Sequence, residues 1–464
     1  MDPLYLTTAI PFVNAAPHLG HALELVQADA IARHARARGR DVRFLTGTDE
    51  HAPKVAQAAL AAGERVPAFV ARNAELFATL AATLQVSYDD FIRTSSDPRH
   101  RPAVEQIWRA CAAAGDLYRA PYAGWYCTGC EQFVDDRCDE HDTAPEWVQE
   151  ENWYFRLSRH ADRIRTLIGS GTLRIVPEER RNEVLAFLAG DVRDVSVSRS
   201  RVRAHDWGIP VPEHAEQIIY VWFDALINYV SAAPPQWWAD PVERRHVIGK
   251  GIVRFHAVIW PAILLSAGLS LPTELFVHDY VTASGRKIGK SLGNAVDPNV
   301  LVARYGADAL RWWLLREVPR VGEADFTEER LVETANRDLA NGIGNLVQRV
   351  LGLGRGAAAV GEHELLARAH ALPARVDAAC DEFDLRAATG AITDVLDAAN
   401  RYIEHTRPWA LAGDERTAVL GTLHTTTRAI VAELAPFVPS LADAAAVRLE
   451  QAASGTPLYT RLTT

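Results

Sequence analysis

Apolar residues fall in short unbroken runs over much of the chain and in helix-period stripes over its last third. Leu4 to Ile10 is apolar and beta-branched and predicts a buried strand. After Pro11, Asn14 and Pro17, the residues Leu19, Leu23, Val26 and Ala30 recur at helical spacing and predict the first helix. Asp41 to Leu45 predicts a second strand, Ile218 to Phe223 a third buried one, and Val247-Ile248-Gly249 a fourth. Ile252, Phe255, His256 and Trp260 come after the last of these at helical spacing. From about residue 327 the pattern is helical nearly throughout, with breaks expected near 353–362, 372–374 and 407–415. Strands alternating with helices predict a parallel α/β sheet, and the late stripes an antiparallel helical bundle.

Length and composition narrow the class. A chain of 464 residues is too long for one core and predicts three or so units. Hydrophobic content of 48% with 23% charged residues describes an ordinary globular protein. There is no signal-peptide pattern and no apolar run long enough for a bilayer, so a cytoplasmic protein without a membrane partner is expected. Five cysteines do not make a secreted disulfide framework. A net charge of -10 excludes nucleic-acid binding over the whole surface, leaving local basic patches. Arg33, Arg36, Arg38, Arg40 and Arg43 read as a solvated helix face; Arg193, Arg199, Arg201 and Arg203 remain open as an RNA contact.

Four stretches carry candidate chemistry. His18-Leu19-Gly20-His21 lies between the first strand and the first helix, where a helix N-terminus offers N–H donors and a positive dipole to phosphate. Two imidazoles there can donate to phosphate oxygens, and Gly20 leaves room for a purine against the backbone. Asp49 stands at the carboxyl end of the second strand, placed for a substrate ammonium, although the residues alone favour its capping a helix that begins near Ala52. Cys127, Cys130, Cys138 and His141 form C-x2-C and C-x2-H pairs around a polar stretch, a spacing that suits a closed structural Zn2+ site. Gly285-Arg286-Lys287-Ile288-Gly289-Lys290-Ser291 is a glycine-flanked basic loop.

The pairing of H-x-G-H near the N-terminus with K-x-x-K-S near position 290 resembles the HIGH and KMSKS signatures of class I aminoacyl-tRNA synthetases. Between them, Gly47-Thr48-Asp49-Glu50-His51, Trp207-Gly208-Ile209-Pro210, Tyr220-Val221-Trp222-Phe223-Asp224-Ala225 and Phe255-His256 through Trp260-Pro261 resemble, in that order, the methionyl-tRNA synthetase family. The resemblance implies a Rossmann-type nucleotide-binding α/β fold with an inserted zinc-binding connective domain and a C-terminal α-helical anticodon-binding bundle. It divides the chain into 1–113, catalytic first half; 114–216, connective insertion; 217–275, catalytic second half; 276–333, KMSKS-loop and stem-contact region; and 334–464, anticodon-binding bundle.

It also implies ATP-dependent activation of methionine and transfer to tRNA(Met) with a CAU anticodon, with Mg2+ accompanying ATP. His18, His21, Lys287 and Lys290 then act on the triphosphate, and Gly20, Glu24 and Ser291 complete the ATP site. Asp49 holds the methionine ammonium, while Ile10, Phe12, Trp222, Ala225, Tyr229, Ile252 and His256 line the side-chain pocket. Asn345, Arg349 and Trp409 read the anticodon. A monomer is expected, because the chain stops soon after the bundle.

Departures from the family pattern are Gly251 for a ribose-binding Asp, with Glu24 as a partial substitute, Phe12 for a pocket Tyr, and Ile288-Gly289 for Met-Ser. The chain also has one methionine, the initiator. A paralogue activating another amino acid and a catalytically inactive tRNA-binding regulator are the alternatives.

Overall fold

The strand Leu4–Thr8 is buried along its whole length, inside a six-stranded parallel sheet. A parallel sheet covered on both faces leaves its inner strands no exposed side, hence the unbroken apolar run. The structure is a computed structural model describing residues 2–127, 132–134, 136–138, 144–283, 285–288, 296–354, 363–451 and 455–464. Its contacts divide it into two units, one of residues 1–17, 40–80 and 88–278, the other of 18–39, 81–87 and 279–464.

In the first unit the parallel strands run in the order Asp90–Arg93, Val42–Thr48, Leu4–Thr8, Glu243–Gly249, Glu274–His278, Arg174–Val176. Leu4 stands opposite Val42 on one side and Glu243 on the other. Phe12, Asp49 and Lys250 therefore lie just past the carboxyl ends of three neighbouring strands, where open α/β sheets bind ligands. A second, antiparallel sheet joins Gln132–Val134, Leu117–Cys127, Glu146–Phe155 and Val195–Ser196.

The second unit holds the first helix, Leu19–Ala37, with the later helices, among them Ala307–Arg316, Asn345–Leu353, Glu364–Asp381, Leu385–Thr406 and Gly413–Leu434. A small sheet of Arg286–Lys287, Val281–Ala283 and Ala324–Phe326 accompanies them. The first helix is tied in by a buried ion pair, Arg311 to Asp29 at 2.7 Å, with both side chains out of solvent. Arg311 also donates to the carbonyls of Leu84, Pro436 and Phe437. Asp29 in turn accepts from Arg33 and from both the N–H and the hydroxyl of Ser87. Burial raises the Asp29 carboxyl, but Arg311, Arg33 and Ser87 outweigh it and hold the group below its usual range. Near the end of the same helix, Arg38 bridges Asp377 and Glu433. No described helix is long and apolar enough to cross a membrane.

Three sequence expectations change. The run Ile218 to Phe223 is not one strand: the strand is His214–Ile219, and Val221–Leu226 is helical, the Asp224 N–H bonding the Tyr220 carbonyl. A short apolar run suits a buried helix as well as a strand, and here it contains both. No break occurs at 372–374, since Glu364–Asp381 continues through Pro373. Leu372 and Val376 beside it are fully buried, and that packing holds the helix where the proline would interrupt it. The arginines at 33–43 are not a solvated helix face: Arg36 donates to Ser87, and Arg40 and Arg43 belong to the first unit, paired with Glu243 and Asp90.

Replacing Asp29 with Asn should strand a buried guanidinium and cost about 3–5 kcal/mol. Chemical denaturation followed by circular dichroism measures this, and Asp29→Leu with Arg311→Met should recover most of the loss.

Candidate functional site

His18 is the extended N-cap of the first helix: its Nδ1 accepts the Gly20 N–H at 3.0 Å, and its own N–H donates to His21 Nδ1 at 3.0 Å. With both Nδ1 atoms accepting, each ring carries its proton on Nε2. The rings stack with centroids 3.9 Å apart. Burial, and then the neighbouring His18, holds His21 well below the ordinary histidine range, as an accepting nitrogen requires. A Cβ on Gly20 would come within 2.9 Å of His18 Cε1, so glycine there also protects the cap. Glu24 lies one turn further along this helix.

The methionine-pocket candidates gather in the first unit. Phe12 and Asp49 form a parallel bridge, the Asp49 N–H donating to the Pro11 carbonyl at 2.9 Å. Asp49 does not cap the next helix, whose N-cap is Ala52 without a side-chain bond. Its carboxyl is buried; burial and then the charge of Asp224 raise it well above the usual carboxylate range. Asp224 is the opposite case. Burial raises it too, but His51 and His100, each 2.7 Å from one of its oxygens, hold it below the usual range and ionised.

Trp222 stacks on Phe255 at 3.9 Å, meets Phe12 edge-on at 5.9 Å and faces His256 at 6.5 Å. Ile10, Phe12, Trp222 and Ile252 all pack against the core that contains Tyr229, and Ala225 is buried. His256 sits in a π-helical turn, Phe255–Ile259. Its Nδ1–H donates to the Ile252 carbonyl at 3.0 Å, which leaves Nε2 to accept the Tyr229 hydroxyl at 2.8 Å. Tyr229 stacks on His246 at 4.2 Å. The Trp260 indole donates to His246 Nε2, so Nδ1 carries the proton bonded to Thr7. Burial lowers His256 to about 4 and His246 well below its usual value, and both rings are neutral. The pocket wall is therefore aromatic, polar at fixed points and uncharged, which suits a neutral, polarizable side chain.

The remaining candidates lie elsewhere. Lys287 is in the strand Arg286–Lys287; Lys290 and Ser291 fall outside the described residues, as do Cys130 and His141. Cys127 is buried at a strand end opposite Gln132, and Cys138 is half-buried. Among the described residues no group of three or more metal-binding side chains occurs. In the helical unit Asn345 is exposed, and Arg349 bonds Asn400 and Glu404 on the helix Leu385–Thr406. That helix ends at Arg407, in the left-handed region, and leads to Trp409, 55% exposed. Of the arginines at 193–203, Arg199 is buried over Tyr220, and Arg193, Arg201 and Arg203 pair with Asp191, Asp206 and Glu146.

The family model "tRNA synthetases class I (M)" matches residues 4–141 and 134–351, and "Anticodon-binding domain of tRNA ligase" matches 362–454. A methionine–tRNA ligase of Mycobacterium tuberculosis is 42% identical over 452 residues, 92% of this chain and 86% of its own length. One of Brucella suis is 40% identical over 470 residues, 95% of this chain and 90% of its own. The chain belongs to the class I methionyl-tRNA synthetase family. A solved Mycobacterium tuberculosis methionyl-tRNA synthetase in complex with methionyl-adenylate superimposes with a TM-score of 0.90 at 39% identity, over 100% of this chain and 99% of that one. As a member of the methionyl-tRNA synthetases, the chain is an aminoacyl-tRNA ligase with an α/β class I fold and a C-terminal helical anticodon-binding domain.

Sequence reasoning missed Asp224, His51, His100 and His246 as parts of this site. The first two lie inside family motifs, which was the available signal; His100 and His246 carry none.

Gly20→Ala should displace the His18 ring and raise KM for ATP, with KM for methionine little changed, in steady-state pyrophosphate exchange. Stability should fall as pH drops from 6.5 toward about 4, because the unfolded chain then binds a proton that buried His256 refuses. Thermal unfolding across that window reads the slope, which His256→Gln should flatten.

Proposed function

We propose that the chain activates L-methionine with ATP to an enzyme-bound adenylate and transfers the methionyl group to the terminal ribose of tRNA(Met) with a CAU anticodon. The observation that carries this is the uncharged pocket of Trp222, Phe255, Tyr229 and His256 beside buried Asp49. Relatives named methionine–tRNA ligases and a homologue solved with methionyl-adenylate support it, and nothing favours a different amino acid or an inactive regulator.

Catalysis is orientation and charge stabilisation. A methionine carboxylate oxygen attacks the α-phosphorus; the new O–P bond forms as the bond to pyrophosphate breaks. Asp49, as the carboxylate, holds the ammonium, while Ile10, Phe12, Trp222, Ala225, Tyr229, Ile252 and His256 surround the thioether. The Nε2–H groups of His18 and His21, with Lys287 and Lys290, bind the triphosphate as charge shifts onto pyrophosphate. Gly20, Glu24 and Ser291 complete the nucleotide site, and Glu24 takes up part of the ribose contact that Gly251 cannot make. Asn345, Arg349 and Trp409 offer amide, guanidinium and exposed indole surfaces to unstacked anticodon bases.

Cys127, Cys130, Cys138 and His141 would hold Zn2+, which orders the connective insertion. Thiol and imidazole side chains in two close pairs are the donor set that Zn2+ prefers. Mg2+ enters with ATP. The working division is 1–113, 114–216, 217–275, 276–333 and 334–464, in a cytoplasmic monomer.

Amino-acid-dependent ATP–pyrophosphate exchange over all proteinogenic amino acids tests the reading. Methionine alone should support exchange, and its affinity should improve as pH rises and Asp49 ionises. Exchange with another amino acid, or with none, overturns it.

A further inference from the structure

Of the 49 cationic side chains other than histidine, 45 are arginine and four are lysine: Lys54, Lys250, Lys287 and Lys290. Arginine has taken nearly every position where any cation will serve. The four exceptions mark places where a compact ammonium does something a guanidinium does not. Lys287 and Lys290 belong to the basic loop of the nucleotide site. The other two come after the carboxyl ends of Val42–Thr48 and Glu243–Gly249, the strands on either side of Leu4–Thr8.

Lys54 has a second peculiarity. It occupies the first turn of the helix Pro53–Ala61, where the helix dipole favours an anion and opposes a cation. Something else keeps it there. Its Nζ lies 3.8 Å from the centre of the Phe12 ring, and its charge favours the ionised form of Asp49. Phe12 and Asp49 are themselves joined by the bridge between their backbones. An acid and a base thus stand side by side at one end of an apolar pocket, as a zwitterion requires.

We infer that Lys54 binds the α-carboxylate of the amino-acid substrate, opposite Asp49 on the ammonium. The inference rests on the assignment of Asp49 and its pocket to methionine. It also explains why lysine is kept. That carboxylate is the nucleophile, and a guanidinium fork would engage both of its oxygens. A single ammonium holds one oxygen and leaves the other to attack phosphorus.

The test is equilibrium binding of L-methionine and of L-methioninol, whose carboxylate is reduced to an alcohol, to the full chain without ATP. Tryptophan fluorescence is the readout. Lys54→Ala should weaken methionine binding by about tenfold or more and methioninol by less than about twofold. Lys54→Arg should bind methionine nearly as well as the parent while its maximal exchange rate falls by about tenfold or more, reflecting a tethered nucleophile. Asp49→Asn should weaken both ligands. If Lys54→Ala weakens both equally, or neither, while Asp49→Asn still weakens both, the role of Lys54 is overturned and the pocket reading survives. If Asp49→Asn affects neither ligand, the pocket reading fails and takes the inference with it.

Discussion

The pairing of Arg311 with Asp29 is the constraint on which the cap made by His18 and His21 depends. Two opposite charges out of solvent are tolerable only when every remaining donor and acceptor is met. Here the guanidinium is met by three carbonyls and the carboxylate by Arg33 and Ser87. Such a cluster has one arrangement, so it fixes the rotation and the axial position of the helix Leu19–Ala37. The reciprocal cap made by His18 and His21 sits at the start of that helix and inherits its rigidity. A helix contiguous in sequence with the first strand thereby groups with the helical unit.

The amino-acid pocket applies a different economy, that of proton placement. Two histidines hold the Asp224 carboxyl below its usual range, and burial beside that charge pushes the Asp49 carboxyl above its own. His246 and His256 are neutral because they are buried, with Trp260 and Tyr229 donating to them. The wall of Trp222, Phe255, Tyr229 and His256 carries no charge, and Asp49 is the carboxyl proposed to meet an ammonium.

The parallel sheet was legible as apolar runs, and the candidate residues stood out where they belong to motifs, as His18, Asp49, Trp222 and His256 do. The strand-to-helix change at Tyr220 was not, since the same apolar letters serve both elements. Nor were the partners of the basic clusters: a run of arginines reads as solvated until the carboxylates that meet it, Asp377 and Glu433 for Arg38, arrive from more than 300 residues away. Ring tautomers were out of reach for the same reason, because each is set by a neighbour brought by the fold. Lys54 was visible all along as one of four lysines and gained meaning only from Phe12 and Asp49 around it.

The π-helical turn Phe255–Ile259 carries His256 immediately before the regular helix Trp260–Ala267. Such a turn accommodates one residue more than an α-helix of equal length. Removing a residue there would rotate the preceding turn by about 100° relative to the helix that starts at Trp260. His256 would leave Tyr229 while Trp260 kept its place against the sheet. The aim of the His256 ring thus depends on the length of one turn, and a single codon gained or lost there would redirect it.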